Sequence, residues 1–350
     1  MDASLSLHCD VAIIWGWFAG LSALLQVRKR MGSEVSIKLF DKNEQFLYVP
    51  GLHEAVLDDE KLDSLQFSFA EYYPNEFVQG EVTSARDGLV SLANWTQRTC
   101  KYLVISPWAH TFMPAGAESS KIVHTVRYAS DIKPLNAALR SAHNVLVIGG
   151  GYTGVEVAAM IVGKSKHTPT NQTITLIHSR DRVTHTMSEK VSHRAQRRMR
   201  EHWIILHLGQ RVKHIDDDHV ELNDWTKLDA DCVIVCTGNT LQDGLIKNAS
   251  SPTVFLAGDY EHTGLEATAH NAMIEWRRVG DQIADHMYGI STDYPPLFSR
   301  TALAMALGPY DGIMTDGPHG IFLPKLVWLS KWIIEKRVIW EFKLKILFWI

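Results

Sequence analysis

Cysteine is scarce and unpaired in this 350-residue chain. The four, Cys9, Cys100, Cys232 and Cys236, form no Cys-x-x-Cys pair and no Cys/His spacing that would hold zinc. A disulfide scaffold and a structural zinc site are therefore not expected, and no metal ligand is assigned. Charge of one sign is also lacking. The formal net charge is only −4, which removes the electrostatic reason to expect a nucleic-acid partner. The basic run His193 to Arg200 reads instead as the solvated face of a helix. There is no charge-free stretch long enough to span a bilayer, no low-complexity linker and no short repeat. No signal peptide is legible at the N-terminus, and a reducing, cytoplasmic setting is expected.

What is present is a strand–turn–helix–strand unit written twice. Val11 to Ile14 is a short apolar strand, Leu21 to Arg30 has helical spacing, and Val35 to Phe40 forms the next strand and ends on Asp41. The pattern returns at Asn144 to Ile148, with a helix to about Gly163 and a strand at Thr173 to Ile177. Two such units a domain apart imply two nucleotide ligands side by side. The expected architecture is α/β, with two Rossmann-like dinucleotide-binding domains. Residues 1–115 and 246–300 would form one, 116–245 an inserted second, and 301–350 a small C-terminal segment.

In the second unit Gly149, Gly151 and Gly154 have the dinucleotide spacing, directly after a strand and opening a helix. The first glycine turns the chain, the second leaves room for pyrophosphate, and the third lets helix and strand approach. The following strand ends in His178-Ser179-Arg180 and not in a carboxylate. An acid there would favour the free ribose of NADH, so His178 and Arg180 lean towards NADPH or towards use of both nucleotides. The first unit reads Trp15-Gly16-Trp17-Phe18-Ala19-Gly20, with an indole at two of its three glycine positions. Its surroundings are nonetheless right, including Asp41 about twenty residues on to take ribose hydroxyls.

Together, Ile13 to Leu21, Phe46 to Glu54, Gly149 to Glu156, Asp231 to Gly238 and Val254 to Asp259 resemble the FAD- and NAD(P)-dependent pyridine nucleotide-disulfide oxidoreductase superfamily. The branch is that of the apoptosis-inducing-factor-like proteins and type II NADH dehydrogenases. The resemblance implies FAD in the first unit and NADH or NADPH in the second. It implies that Trp15, Gly16, Trp17, Phe18, Ala19 and Gly20 meet the FAD pyrophosphate, and that Val82 lies near the adenine. Trp108 would lie at a further FAD turn, Gly258 and Asp259 at the ribityl or phosphate portion, and Ala269 at the pyrimidine edge of the flavin. On the nucleotide side it assigns Tyr152 and Thr153 to the phosphate turn, Glu156 to the nicotinamide and Gly238 to the loop covering it.

The implied activity is hydride transfer from NAD(P)H to FAD and then electron transfer to an acceptor. The cofactors carry that chemistry, so no catalytic side chain is required. The missing Cys-x-x-Cys argues against a disulfide reductase and leaves a quinone as the favoured acceptor, with a small iron–sulfur protein as another. The apolar, lysine-laced tail from Leu323 to Ile350 suits either peripheral membrane contact or packing on the body of the protein or a second subunit. The departures from the family run one way: Trp15, Trp17 and Trp108, with Trp95, Trp203, Trp225 and Trp276, stand where glycine is usual. Repeated glycine-to-tryptophan is unlike neutral decay and suggests UGA codons that some bacterial lineages read as glycine. Genuine tryptophans at 15 and 17 would instead leave a catalytically silent scaffold or redox-sensing module without FAD.

Overall fold

The computed structural model describes residues 8–86, 88–106, 110–164, 171–240, 251–256, 269–294, 303–315, 320–321 and 324–346. Two sheets built on parallel strands carry the fold, an α/β arrangement as the duplicated pattern predicts. In the first, the order is Phe77–Gln79, Ile37–Asp41, His8–Ile14, Gln97–Ile105, Leu89–Leu92 and Val82–Arg86. Val254–Leu256 also pairs with Gln97–Ile105, in parallel, so the chain returns here after building the second sheet. His8–Ile14 runs parallel to both of its neighbours. Val11, Ala12, Ile13 and Ile14 are all fully buried. A central parallel strand covered on both faces needs such an unbroken apolar run.

The helix Phe18–Met31 starts one turn earlier than its spacing suggests, because the turn passes straight into it. It packs along the helix Ala269–Met287, and Arg30 closes the far end with Asp281 at 2.7 Å and Asp285 at 2.6 Å. Gly280 permits the approach, since a β-carbon there would lie 2.6 Å from Cβ of Gln26. Residues 67–86 are not purely strands, because Phe69–Tyr72 forms a short helix. Its first turn is capped by Ser68, whose Oγ accepts the Glu71 amide.

The second sheet is wholly parallel, in the order Val123–Thr125, Cys232–Val235, Asn144–Ile148, Thr173–His178 and Ile205–Leu208. A three-stranded antiparallel sheet, Val212–Ile215, His219–Leu222 and Lys227–Asp229, follows it. The helix Glu189–Glu201 buries Val191, Ala195 and Met199 and exposes His193, Arg194, Arg197 and Arg200, the solvated basic face expected. Cys232 is buried within its strand, whereas Cys236 lies just beyond it and is only half-buried.

The C-terminal segment forms the antiparallel strands Leu303–Ala306, Gly312–Thr315 and Gly320–Ile321 and then the helix Pro324–Leu344. That helix is two-sided. Val327, Val338, Ile339 and Phe342 are buried, while Leu326, Leu329, Trp332, Ile333, Trp340 and Leu344 are exposed. Among the described residues no helix is long and apolar enough to cross a membrane. Phe342 meets Phe18 and Phe46 edge to face, with centroids at 6.2 and 5.2 Å, and its carbonyl accepts the Tyr73 hydroxyl at 2.5 Å. Phe342→Ala is expected to cost about 3–5 kcal/mol through lost contacts and the cavity left behind, read as a lower urea midpoint.

Candidate functional site

At the second glycine turn every substitution would meet an obstacle except where a phosphate belongs. Gly149 adopts φ +113°, and a β-carbon on it would lie 2.3 Å from the Cys236 carbonyl. One on Gly154 would lie 1.8 Å from the Gly149 carbonyl, so helix and turn touch only because both residues lack side chains. A β-carbon on Gly151 would meet nothing within 4 Å. Gly151 caps the helix Tyr152–Gly163, whose first turn has no side-chain cap and no acid, so its amides face open space. The residues present fit a dinucleotide pyrophosphate.

The first turn repeats this backbone. Trp15 is left-handed at φ +74°, as Gly149 is. A β-carbon on Gly20 would lie 2.1 Å from the Trp15 carbonyl, the same clash as at Gly154. Trp17 caps its helix at φ −79°, ψ −169°, beside −75°, −170° for Gly151. Asp41 ends its strand beneath the turn, with Oδ2 accepting the Gly16 amide at 2.8 Å and Oδ1 the Asn43 amide at 2.8 Å. Burial pushes its carboxyl above the ordinary range, opposed by those two bonds. The backbone therefore fits a second pyrophosphate, but the indole of Trp17, 7% exposed, stands where it would lie. As written, the side chains of this turn do not fit FAD.

A cavity of about 1200 Å³ joins the two turns. From the first turn Trp17, Phe18 and Ala19 line it; from the second, Gly149, Gly151, Tyr152, Thr153 and Glu156. His178, Gly238 and Ala269 reach it from three further elements. Of the remaining sequence-predicted residues, Trp15, Gly16, Gly20 and Gly154 shape the turns from behind and Asp41 supports the first. Val82 packs into a separate apolar cluster with Cys9, Ala12 and Phe40. Arg180 is exposed, its carbonyl accepting the Gly209 amide at 2.7 Å. Trp108, Gly258 and Asp259 lie outside the described residues.

Where the two halves meet, Glu156 is held from three sides. Its Oε1 accepts the Ala306 amide at 2.8 Å and pairs with Lys331, while Oε2 lies 3.5 Å from Nδ1 of His53. His53 is fully enclosed, and burial, reinforced by Lys331, holds its pKa well below the ordinary value. Beside it Lys61 bridges Glu54 at 2.9 Å and Glu335 at 2.8 Å. Sequence reasoning singled out Glu156 but neither His53 nor Lys331. His53 falls inside the Phe46-to-Glu54 motif, the one signal available. Lys331 belongs to the C-terminal helix, whose lysines suggested only a surface.

At the other end of the cavity His178 is fixed in one protonation state. Burial lowers its pKa to about 4, and its Nδ1 accepts the Gly150 amide at 3.1 Å, so the ring proton resides on Nε2. A β-carbon on Gly150 would lie 2.7 Å from that ring, which explains the glycine there. The loop after Ile205–Leu208 is tied alongside by Gln210, whose amide donates to the His178 carbonyl at 3.0 Å. It brings Arg211 to the same stretch of wall. Among the described residues no carboxylate lines this stretch, which is formed by His178, Ser179, His185, Gln210, Arg211 and Lys213.

Because the folded pKa of His178 is depressed, its contribution to stability is complete above about pH 6.5. It is lost as pH falls towards 4, since the unfolded chain binds the proton first. Nitrogen-detected NMR is expected to show the Nε2–H tautomer with a midpoint near 4. His178→Gln should make the acid loss of stability shallower.

The match to known proteins agrees with this geometry. Residues 9–273 match the model of the family described as pyridine nucleotide-disulphide oxidoreductase. Apoptosis-inducing factor homolog B of Dictyostelium discoideum is 22% identical over 376 aligned positions, 94% of this chain and 95% of that protein. Homolog A of the same organism is 24% identical over 222 positions, 61% of this chain but only 53% of its own length. The ferredoxin reductase subunit of a Sphingobium 5,5'-dehydrodivanillate O-demethylase is 26% identical, covering 87% of this chain and 78% of its own. Among solved structures, sulfide:quinone oxidoreductase from Aquifex aeolicus superposes with a TM-score of 0.82 at 15% identity, over 97% of this chain and 92% of that one. With the family model matched over most of its length, the chain belongs to the pyridine nucleotide-disulphide oxidoreductases, enzymes that use FAD and NAD(P)H.

Proposed function

We propose that this oxidoreductase draws its electrons from NADPH and delivers them to a lipophilic quinone at a membrane surface. The observation that carries the reading is the C-terminal helix. Ile334 and Val338 reach the shared cavity from the same helix that exposes Leu329, Trp332 and Ile333 to the outside. An apolar acceptor thus has an apolar approach to the place where the two halves meet. Lys325 and Lys345 lie exposed near the ends of that helix, as on an interfacial helix beside anionic lipid.

FAD and NAD(P)H, when bound, would supply the hydride-transfer chemistry. The chain's own part is to bind, orient and exclude water. The Gly149–Gly154 turn holds the nucleotide pyrophosphate, and Glu156, locked by Lys331 and the Ala306 amide, stands at the nicotinamide end. At the ribose end, Arg211 supplies a positive charge, and among the described residues no carboxylate lines the adjoining wall. An anionic 2'-phosphate is favoured there over a bare hydroxyl. Delivery to a small iron–sulfur protein is the second reading, supported by the Sphingobium ferredoxin reductase relative.

Arg211→Ala is expected to weaken NADPH binding about tenfold while leaving NADH unchanged, as measured by calorimetric titration. Equal loss for both nucleotides would remove Arg211 from the 2'-phosphate site. For the acceptor, flavin-loaded protein carrying glycine in place of Trp15 and Trp17 should oxidise NADPH with a short-chain quinone, and faster when anionic vesicles carry a long-chain quinone. Reduction of an oxidised ferredoxin by NADPH, and none of quinones, would give the second reading.

A further inference from the structure

The first dinucleotide turn has the backbone of a pyrophosphate site and the side chains of a blocked one, and the same mismatch recurs far from it. We infer that Trp15, Trp17, Trp95, Trp203 and Trp225 are glycines in the natural protein. The codon behind them is one that its organism decodes as glycine and that another genetic code writes as tryptophan. The inference rests on backbone conformation; the flavoprotein reading enters only at Trp15 and Trp17.

Eight described non-glycine residues have positive φ, and four are tryptophans: Trp15 at 74°, Trp95 at 67°, Trp203 at 62° and Trp225 at 69°. A β-carbon crowds the following carbonyl in this region, and bulky residues visit it rarely. Each of the four also stands in a motif that calls for glycine, and at two of them the chain itself supplies the control.

The first control is the duplicated turn. Trp15 occupies the place that Gly149 holds in the second unit, and Trp17 the place of Gly151, with matching cap dihedrals. The second control is at a helix end. After Glu189–Glu201 the Trp203 amide donates to the Arg200 carbonyl at 2.9 Å and the Ile204 amide to that of Met199 at 3.0 Å. After Ala269–Met287 the Gly289 amide donates to the His286 carbonyl at 3.2 Å and the Ile290 amide to that of Asp285 at 2.8 Å. These are the same Schellman closure, left-handed at 62° in one case and 69° in the other, with glycine where glycine is expected only in the second.

The remaining two are copies of one hairpin. In Leu92-Ala93-Asn94-Trp95-Thr96 the Leu92 amide donates to the Thr96 carbonyl at 2.9 Å and the Trp95 amide to the Leu92 carbonyl at 3.0 Å. In Leu222-Asn223-Asp224-Trp225-Thr226 the equivalent bonds are 2.9 and 3.0 Å. The side chains of Asn94 and Asp224 each accept the threonine amide two residues on. A turn followed by a left-handed residue is the three-residue hairpin that takes glycine. Packing does not repay the strain, since the indoles of Trp95, Trp203 and Trp225 are 93%, 89% and 71% exposed. The ring of Trp225 does carry the Lys213 ammonium, 3.1 Å from its centroid, but on the open surface. Trp276 sits in regular helix with no such conformational demand and is left out of the set.

Peptide mass spectrometry of the protein purified from its source organism decides the matter, because tryptophan and glycine differ widely in mass. Glycine is expected at all five positions; tryptophan at 15 and 17 would overturn the inference. Recombinant protein supplies an independent readout. The chain with all five replaced by glycine should melt at a higher temperature and carry flavin absorbance after purification, and the chain as written should be colourless. Equal flavin content together with an equal melting temperature in the two would also overturn it. A glycine chain that holds flavin yet reduces no quinone would count against the proposed acceptor alone.

Discussion

The fold depends on how closely a helix can be brought to the strand that precedes it. In each dinucleotide unit the third key position of the turn is a glycine packed against the carbonyl of the first, whose oxygen lies 1.8 Å from where a β-carbon would sit in one unit and 2.1 Å in the other. That contact sets the start of the helix, aims its free amides across the end of the sheet and leaves a gap of phosphate size above them. The strand must be apolar on both faces and the residue that meets the turn carbonyl must lack a side chain, so the constraint reaches back into the composition of the whole unit.

Side chains complete the second level of organisation, and they come from distant parts of the chain. Glu156, on the helix of the second turn, is satisfied by Ala306 and Lys331, both from the C-terminal segment. Glu335, on the same helix as Lys331, is paired with Lys61 of the first unit. Buried charges of this sort cost stability unless paired, so their pairing marks where the two nucleotide units and the tail must agree in position. His53 sits at that junction as a neutral imidazole because enclosure and the nearby ammonium both oppose its charging.

What was legible in the sequence followed what is local. Asn144–Ile148 and the turn after it were readable because strand, glycines and helix adjoin one another. The end of the second strand at Asp41 was readable for the same reason. The partnership of Glu156 with Lys331 was not, because it spans 175 residues and nothing in either neighbourhood announces it. Arg211 was missed because a loop hydrogen-bonded beside His178 carries it to the cavity wall, which Arg180, chosen from sequence, does not line. Left-handed turns were half-visible. The Asn-Asp before Trp225 signals a hairpin, but a helix end closing on Trp203 cannot be read where the residue that marks it is absent.

The last helix has a bearing on how the molecule is made as well as on how it works. Its Phe342 fills the aromatic cluster around Phe18 and Phe46, and its Lys331 closes on Glu156. A nascent chain can assemble much of each sheet while synthesis proceeds, but these two positions stay open until the helix Pro324–Leu344 leaves the ribosome. Until then the apolar cluster and the cavity wall face solvent, which makes the unfinished chain a client for chaperones and the finished helix the step that seals both. Loss of the tail would therefore be felt first as poor yield and aggregation, before any question of turnover arises.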